Sequence, residues 1–274
     1  MLSYGHRWGD FGWDSSFTFS ANKNEIVELV KDYVHPETGK TYNVDKLELK
    51  TDEGRGFGKA KFILKEGGTL GDLYTHADLK RDINGNILID DSGNVTAIDN
   101  AGDIKLGSVL PKANLAWNNS FSYKGINAGF LLTARLGGIV YSATQAYLDL
   151  YGVSETSAAA RDAGGVWING RSRVNPQSFY EVVASQSGLP TYYTYSATNL
   201  RLQEAHIGYT VPRRWLGNVC DINVSLVGRN LWMIYCKAPF DPEAVATTNN
   251  YYQGIDYFMM PSTRNIGFNI KINF

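Results

Sequence analysis

The last ten residues, 265–274, constrain the fold more than any other stretch, because polar and apolar side chains alternate through all of them. Successive side chains in a β-strand point to opposite faces, so this segment forms a ribbon with one polar and one apolar face. The apolar face carries Ile266, Phe268, Ile270, Ile272 and Phe274. A strand of a soluble sandwich alternates in this way, and so does a membrane-spanning barrel strand of about 9 to 11 tilted residues. The rest of the chain decides between the two.

Composition excludes several classes of protein. A net charge of -1 over 274 residues provides no basic surface, so no nucleic-acid partner is expected. No run approaches the roughly 18 apolar residues of a transmembrane helix, a test that a barrel strand escapes because only alternate residues are apolar. The histidines and cysteines show no metal-ligand spacing, and no cofactor is implied. Cys220 and Cys236 are expected at opposite ends of one strand and therefore not bonded to each other.

Two stretches rich in Asp, Asn and Gly, 82–86 and 91–94, raise the question of calcium. An EF-hand loop needs Gly at its sixth position and an acidic ligand at its twelfth, and neither requirement is met here. Asn-Gly and Gly-Asn pairs accept positive φ and favour tight turns. We therefore predict turns at residues 84–85 and 93–94.

Period-2 alternation predicts about seven strands. They cover residues 8–20, about 58–74, 113–123, 127–136, 199–211, 222–232 and 265–274. In the strand over 199–211, Leu200 and Leu202 have the opposite parity to Ile207 and Val211, which predicts a β-bulge near Gln203. Residues 26–30 are compatible with a short helix or a strand.

The connections between these strands alternate in length. Residues 124–126 and 212–218 form short turns, whereas 137–197 and 237–262 are predicted to be long irregular loops. Outer-membrane barrels carry short turns at one end and long loops at the other. The alternation favours a barrel wall over a sandwich.

A series of motifs near the carboxy-terminus carries a family resemblance. They are Asn-Leu-Arg-Leu-Gln-Glu at 199–204, Ile-Gly-Tyr-Thr-Val-Pro at 207–212, Val-Gly-Arg-Asn-Leu-Trp at 227–232, Phe-Asp-Pro-Glu at 240–243, Gln-Gly-Ile-Asp-Tyr at 253–257 and Pro-Ser-Thr-Arg-Asn-Ile-Gly-Phe at 261–268. In this order they closely resemble the carboxy-terminal region of SusC/RagA-type TonB-linked outer-membrane proteins. Looser similarity extends upstream over most of the chain.

The resemblance implies an all-β fold, a transmembrane antiparallel β-barrel with long extracellular loops. Residues 1–274 would supply its carboxy-terminal segment of about 7 to 8 strands. It also implies import of oligosaccharides or peptides across the outer membrane of a Gram-negative bacterium of the Bacteroidota, together with a SusD-like surface lipoprotein. The plug domain, the remaining strands and the TonB box that engages the TonB complex have no counterpart in the sequence, and residues 1–6 lack a secretory signal. The chain is therefore expected to be the last part of a longer transporter.

The barrel interpretation gives roles to three sets of residues. The first set is expected to face lipid and resembles a signal for barrel assembly; it comprises Phe268, Ile270, Ile272 and Phe274. Charged residues expected to line the wet lumen are Arg135, Arg201, Glu204, Arg229 and Lys271. Loop aromatics that could stack on a ligand, or instead pack the loops together, are Trp167, Tyr192, Tyr193, Tyr251 and Tyr252.

Two alternatives to a transporter segment were weighed. A glycoside hydrolase would use a carboxylate pair such as Asp241 and Glu243, but nothing in the sequence marks an acid of raised pKa, so an enzyme is not expected. A soluble carbohydrate-binding or adhesive β-domain would turn the apolar faces of its strands into one core. A barrel wall turns them outward.

Overall fold

The computed structural model describes residues 1–49, 57–217, 219–246 and 253–273, and most of its regular structure is antiparallel β. The strands in this part of the chain are β1 (Leu2–Trp8), β2 (Phe11–Ala21), β3 (Val30–Val34), β4 (Thr41–Val44), β5 (Lys46–Glu48), β6 (Lys61–Lys65), β7 (Asp72–Thr75), β8 (Asp78–Leu79), β9 (Ala97–Ile98), β10 (Ile104–Ser108), β11 (Ala113–Tyr123), β12 (Ile126–Leu136), β13 (Ile139–Ser142), β14 (Val166–Ile168), β15 (Ser172–Val174), β16 (Thr194–Ser196), β17 (Asn199–Val211), β18 (Asp221–Cys236), β19 (Ile255–Asp256) and β20 (Asn265–Asn273). The helices are α1 (Ala143–Leu150), α2 (Glu155–Asp162) and α3 (Pro176–Val183), with 3-10 turns at Ser185–Ser187 and Arg213–Leu216.

The long strands form one seven-stranded antiparallel sheet, which we call the wall sheet. Its order is β1-β2-β11-β12-β17-β18-β20, so the strands pair in the order in which they occur along the chain. The bounds predicted for β11 and β17 are confirmed to the residue, and those of β12 to within one residue. The predicted bulge is also confirmed, because the ladders to β12 and β18 both pass from Leu202 to Glu204 and leave Gln203 unpaired.

The wall sheet has one apolar and one polar face across all seven strands. Residues paired across a ladder share a face, so the register traces the apolar face from Trp8 and Phe11 through Tyr123 and Ile126 to Tyr209, and on to β20. The apolar face is exposed: Phe268 retains 77% of its accessible surface. Two indoles on this face find polar partners on the same face, because the Nε1–H groups of Trp13 and Trp117 donate to Asn119 and Ser15 respectively. Across all seven strands, apolar side chains therefore lie mainly on one face of the sheet and polar side chains mainly on the other.

The connections sort by length to opposite ends of the wall sheet. One end carries the tight turns between β1 and β2 and between β11 and β12, and the 3-10 turn between β17 and β18. At the β11–β12 turn Lys124 and Gly125 both have positive φ, 46° and 88°, which matches the twist of a two-residue hairpin. The other end carries residues 22–112, 137–198 and 237–264, which together we call the loop layer. The predicted alternation of short and long connections is confirmed.

The buried apolar core lies in the loop layer and not beneath the wall sheet. In the part of the chain that the structure describes, the cluster of buried apolar side chains draws its members from residues 60–109, 141–193 and 255. Tyr141, Leu73 and Ile255 are completely buried there. Five small sheets of the described residues supply strands to this layer, and α1 and α3 pack against each other within it.

Several expectations about the connections were wrong. Residues 8–20 are not one strand, because β1 ends at Trp8 and a tight turn at Gly9-Asp10 leads into β2. Residues 58–74 form no wall strand: β6 and β7 are short and belong to a small sheet whose Phe62 and Leu73 are buried in the loop layer. Residues 137–197 are not irregular, since they contain all three helices, and the chain is accordingly mostly β instead of all-β.

The predicted turns are confirmed. Gly85 and Gly93 have positive φ, and Asp82 and Asp90 each accept two amide hydrogen bonds from the turn that follows. Cys220 precedes β18 and Cys236 ends it, and both are free thiols. Among the described residues no helix has the length and apolarity needed to cross a membrane.

Candidate functional site on the polar face and in the loop layer

The five charged residues predicted to line a lumen lie on the polar face of the wall sheet. The bulge at Gln203 is what makes this so, because it brings Arg201 and Glu204 to the same face despite their opposite parity. Glu204 accepts a hydrogen bond of 3.1 Å from Arg229 Nε on the neighbouring strand; the Arg229 side chain is exposed and that of Glu204 is half-buried. Lys271 is exposed on β20, and Arg135 donates from Nη2 to the carbonyl of Val109 at 2.9 Å.

Arg201 is the buried member of the five, whereas Arg135 is half-buried and the other three are at least partly exposed. The segment 237–246 covers Arg201, and only 5% of its side chain is exposed. Its guanidinium makes a two-point contact with Asp241, Nη2 to Oδ1 at 2.6 Å and Nη1 to Oδ2 at 3.2 Å. Burial alone raises the pKa of a carboxyl group, but the contacts with Arg201 and the amide of Glu243 outweigh it and hold the pKa of Asp241 below its ordinary value. This acid stays ionised, which is unsuited to general acid catalysis.

Glu243 lies at the edge of the same cluster. Its carboxylate is 3.4 Å from Arg201 Nη2 and accepts a hydrogen bond of 3.1 Å from Asn199 Nδ2. The side chain is 42% exposed. The Asp-Pro-Glu sequence at 241–243 thus places both acids against one arginine.

Among the predicted ligand-stacking aromatics that the structure describes, Trp167 is the exposed one. It lies on β14, retains 55% of its accessible surface, and the guanidinium of Arg173 lies 4.4 Å from its ring centroid. The β14–β15 hairpin is held to residue 87 through Asn169, whose side chain donates to and accepts from the backbone of Ile87. A fixed, exposed indole can stack on a ring or an apolar surface.

Tyr193 and Tyr192 serve the packing of the loop layer. Tyr193 is 2% exposed, and its hydroxyl donates to Asp149 Oδ2 at 3.0 Å. Burial, reinforced by the Asp149 carboxylate, raises the pKa of Tyr193 far above its ordinary value, so the hydroxyl remains a donor. Tyr192 is half-buried and packs edge-on against Phe179. The ring of Tyr193 is therefore not available for stacking on a ligand.

Tyr251 and Tyr252 lie outside the described residues, as does Phe274. The other residues of the predicted assembly signal, Phe268, Ile270 and Ile272, occupy the apolar face of β20 and are exposed.

Asp149 is a buried carboxylate that accepts several hydrogen bonds and that no pattern in the sequence singles out. Its carboxylate accepts hydrogen bonds from Ser154, Thr156, Gln145 and Tyr193, and thereby joins the end of α1 to the start of α2 and to the core. The detectable signal was Ser154 before Glu155, a helix-start pair typical of an N-cap.

A cavity of about 450 Å³ opens where the ends of β2, β11 and β12 meet the loop layer. Its polar lining includes Asn22, Lys23, Asn24, Glu25, Thr69, Ser108 and Lys112. The cavity has room and hydrogen-bonding groups for a small polar ligand.

Comparison with known proteins shows which proteins this chain is similar to. No family model matches the chain. TonB-dependent receptor P3 of Formosa agariphila is 25% identical over 289 residues, which cover 96% of this chain and 27% of that receptor. TonB-dependent receptor P26 of the same organism is 25% identical over 293 residues, covering 98% and 28%.

This chain is similar to TonB-dependent receptors over nearly all of its length. It spans little more than a quarter of the length of these relatives. Two solved structures share the fold of the present chain over 99% of its length. One is titled the RagAB peptide importer in the closed-closed state (TM-score 0.64, 16% identity), and the other is titled the RagAB peptide transporter (TM-score 0.65, 17% identity). The chain covers 28% of each of those structures, and the SusC/RagA-type resemblance of its motifs is consistent with both comparisons.

Proposed function

We propose that the chain forms part of the wall and of the extracellular loops of an outer-membrane, TonB-dependent transporter. Its 274 residues would be the carboxy-terminal part of the barrel, and the plug, the other strands and the site for the TonB complex would belong to the remainder of the protein. The cargo class is an oligosaccharide or a peptide, taken up together with a SusD-like surface lipoprotein. Names of relatives and titles of similar structures, receptors and a peptide importer, support a transporter over an enzyme.

The observation that carries this proposal is a wide sheet with an exposed apolar face, beneath which the described residues form no core. Seven strands about 4.8 Å apart and about ten residues long present a face of roughly 30 by 30 Å. Soluble monomers rarely expose contiguous apolar patches above a few hundred Å². A bilayer has a hydrocarbon core about 30 Å thick, which matches the height of the face.

The polar face and the loop layer fit the same proposal. A barrel lumen solvates charges such as Arg229, Glu204 and Lys271, whereas a lipid-facing charge costs about 2 to 4 kcal/mol at the membrane midplane. A soluble carbohydrate-binding domain would instead bury the apolar face in its core. The buried cluster of the described residues lies in the loop layer.

Fractionation of the source cells tests the proposal. We expect the protein that carries this sequence in the outer-membrane fraction, resistant to extraction by urea, with an intact mass well above 30.4 kDa. A water-soluble species of 30.4 kDa would overturn the proposal and support a soluble β-domain.

A further inference from the structure

The connection 237–264 carries two aspartates, each buried against a different part of the molecule. Asp241 contacts Arg201 on the wall sheet. Asp256 accepts a hydrogen bond of 2.6 Å from the hydroxyl of Ser142 in the loop layer. The Asp241 side chain is 9% exposed and Asp256 is 6% exposed.

At the wall end, the contact is rigid and desolvated. A two-point Arg–carboxylate contact fixes both the distance and the plane of the two groups. Asp241 Oδ1 also accepts the amide of Glu243 at 3.0 Å, which shapes the turn, and Asn230 Oδ1 lies 3.3 Å from Arg201 Nη1. Phe240 adds an edge-on contact with Tyr195 of the loop layer, with ring centroids 5.5 Å apart.

At the loop-layer end, the connection is built into the core. β19 pairs in parallel with β13, and the amide of Tyr141 donates to the carbonyl of Gly254 at 2.8 Å. Ile255 is completely buried, and its carbonyl accepts the amide of Ala246 at 2.8 Å. The described residues next to each aspartate, 240–246 and 253–256, are therefore each anchored.

Stability alone does not account for the wall contact. Replacing a buried ion pair by apolar residues of similar volume is often neutral or stabilising, because desolvation offsets the attraction between the charges. Here hydrogen bonds do not compensate all of the lost hydration. Among the described residues, Arg201 Nε and Asn199 Oδ1 are buried without a hydrogen-bond partner. A contact that keeps unsatisfied groups buried is expected where it fixes a geometry that function requires.

We propose that Arg201 and Asp241 are positioning residues that fasten the loop layer to the barrel wall. The connection 237–264 acts as a tie, with Asp241 at its wall end and Asp256 at its core end. The loop layer is thereby held in one position over the polar face, where cargo would enter. The inference rests on the proposed function, since the tie matters only if the wall sheet is a barrel wall.

Hydrogen–deuterium exchange of the protein as its source cell makes it, purified in detergent, tests the tie. With Asp241→Asn, we expect exchange of the Glu243 and Ala246 amides to accelerate at least about tenfold, because buried Arg201 loses its two-point carboxylate contact and keeps only the longer contact with Glu243, 3.4 Å from Nη2. Amides in the halves of β17 and β18 nearer the short-turn end of the wall sheet should keep their wild-type exchange rates. Glu204→Gln is the matched control, because it also removes a carboxylate paired with an arginine on the polar face, but where the arginine is 68% exposed. It should change none of these rates.

The two ends of the tie can be released separately. Ser142→Ala should accelerate exchange at Tyr141 and Ala246 and leave Glu243 at its wild-type rate. Arg201→Lys keeps the charge but loses the two-point contact, and should give an intermediate acceleration at Glu243; it also tests the tie if Asp241→Asn fails to assemble. Unchanged exchange at Glu243 and Ala246 in a membrane-inserted Asp241→Asn or Arg201→Lys variant would overturn the tie. Extraction of the wild-type protein by urea would instead overturn the proposed function.

Discussion

Two arginines on adjacent wall strands show how much the surroundings of a residue decide its role. Arg229 and Arg201 lie on the same face, and each faces an acid, but the Arg229 side chain is 68% exposed and that of Arg201 is 5% exposed. Surface ion pairs of the first kind contribute about 0 to 1 kcal/mol, whereas removing one partner of a buried pair costs about 3 to 5 kcal/mol. The sequence predicts that both residues lie on a polar face. It does not reveal which one a distant segment covers.

The pH dependence of the tie follows from the lowered pKa of Asp241. A carboxyl group whose pKa is lower in the folded state contributes stability above its unfolded pKa, near 3.8, and loses it as pH falls through the lower folded value. We therefore expect the difference in exchange at Glu243 between wild type and Asp241→Asn to stay constant from pH 8 to pH 5, after correction for intrinsic rates. A difference that shrinks between pH 7 and pH 5 would show that the pKa of Asp241 is raised.

Trp167 is where a ligand-stacking role is best placed among the predicted aromatics. Trp167→Ala should weaken binding of oligosaccharide or peptide cargo at least about tenfold, while membrane insertion stays at the wild-type level, because the indole is exposed. Trp215→Ala is the matched control, since Trp215 is 63% exposed but lies at the short-turn end of the sheet. Titration of a panel of oligosaccharides and peptides against the purified protein measures the effect. Equal losses in the two variants would contradict a specific role for Trp167.

Tyr193 belongs to the packing of the loop layer instead. Tyr193→Phe removes the hydrogen bond to Asp149 but leaves the ring in place, so we expect a local loss of about 1 to 2 kcal/mol. Hydrogen exchange of α1 should report it, with no change in cargo affinity. A loss of affinity without faster exchange would return Tyr193 to the ligand site.

At the level of elements, wall strands are predictable and loop-layer elements are not. β11, β12 and β17 alternate in polarity over ten or more residues, because each has one apolar and one polar face along its whole length. β6 alternates too, but its Phe62 faces a protein core, and alternation does not distinguish a core from lipid. The prediction of one strand over residues 8–20 missed β1, because the two-residue turn between β1 and β2 does not stand out in polarity from its neighbours. α3 carried a recognisable start, Asn175 as N-cap and Pro176 at the first helical position, within a segment predicted to be irregular.

The bulge at Gln203 offers a test at this level. Deleting Gln203 moves the first half of β17 by one residue, which turns Arg201 to the apolar face and Leu202 to the polar face. We expect the assembled fraction, measured by resistance to unfolding in SDS before boiling, to fall at least about tenfold. Gln203→Ala preserves the register and should assemble normally. Normal assembly of the deletion variant would mean that the bulge does not set the face of Arg201.

At the scale of the whole molecule, the wall sheet and the loop layer differ in structure: the wall sheet carries the exposed apolar face, and the loop layer contains the buried core. A loop layer with its own core can hold a cavity and an exposed tryptophan in fixed positions while the sheet meets lipid. Resemblance of the motifs indicated a barrel, but the three-part loop layer arises from contacts between distant segments, such as Ser142 with Asp256. Such contacts leave no periodic pattern in a single sequence.

The central claim, that the apolar face of the wall sheet meets lipid, is tested most directly along β20. Cys220 and Cys236 are first replaced by serine, and nitroxide labels are then attached to single cysteines at positions 266 to 272 of the protein reconstituted in liposomes. The account predicts that collisions with lipid-soluble oxygen peak at 266, 268, 270 and 272, and that collisions with a water-soluble nickel chelate peak at 267, 269 and 271. Even-numbered positions shielded from both reagents, as in the core of a soluble sandwich, would contradict it.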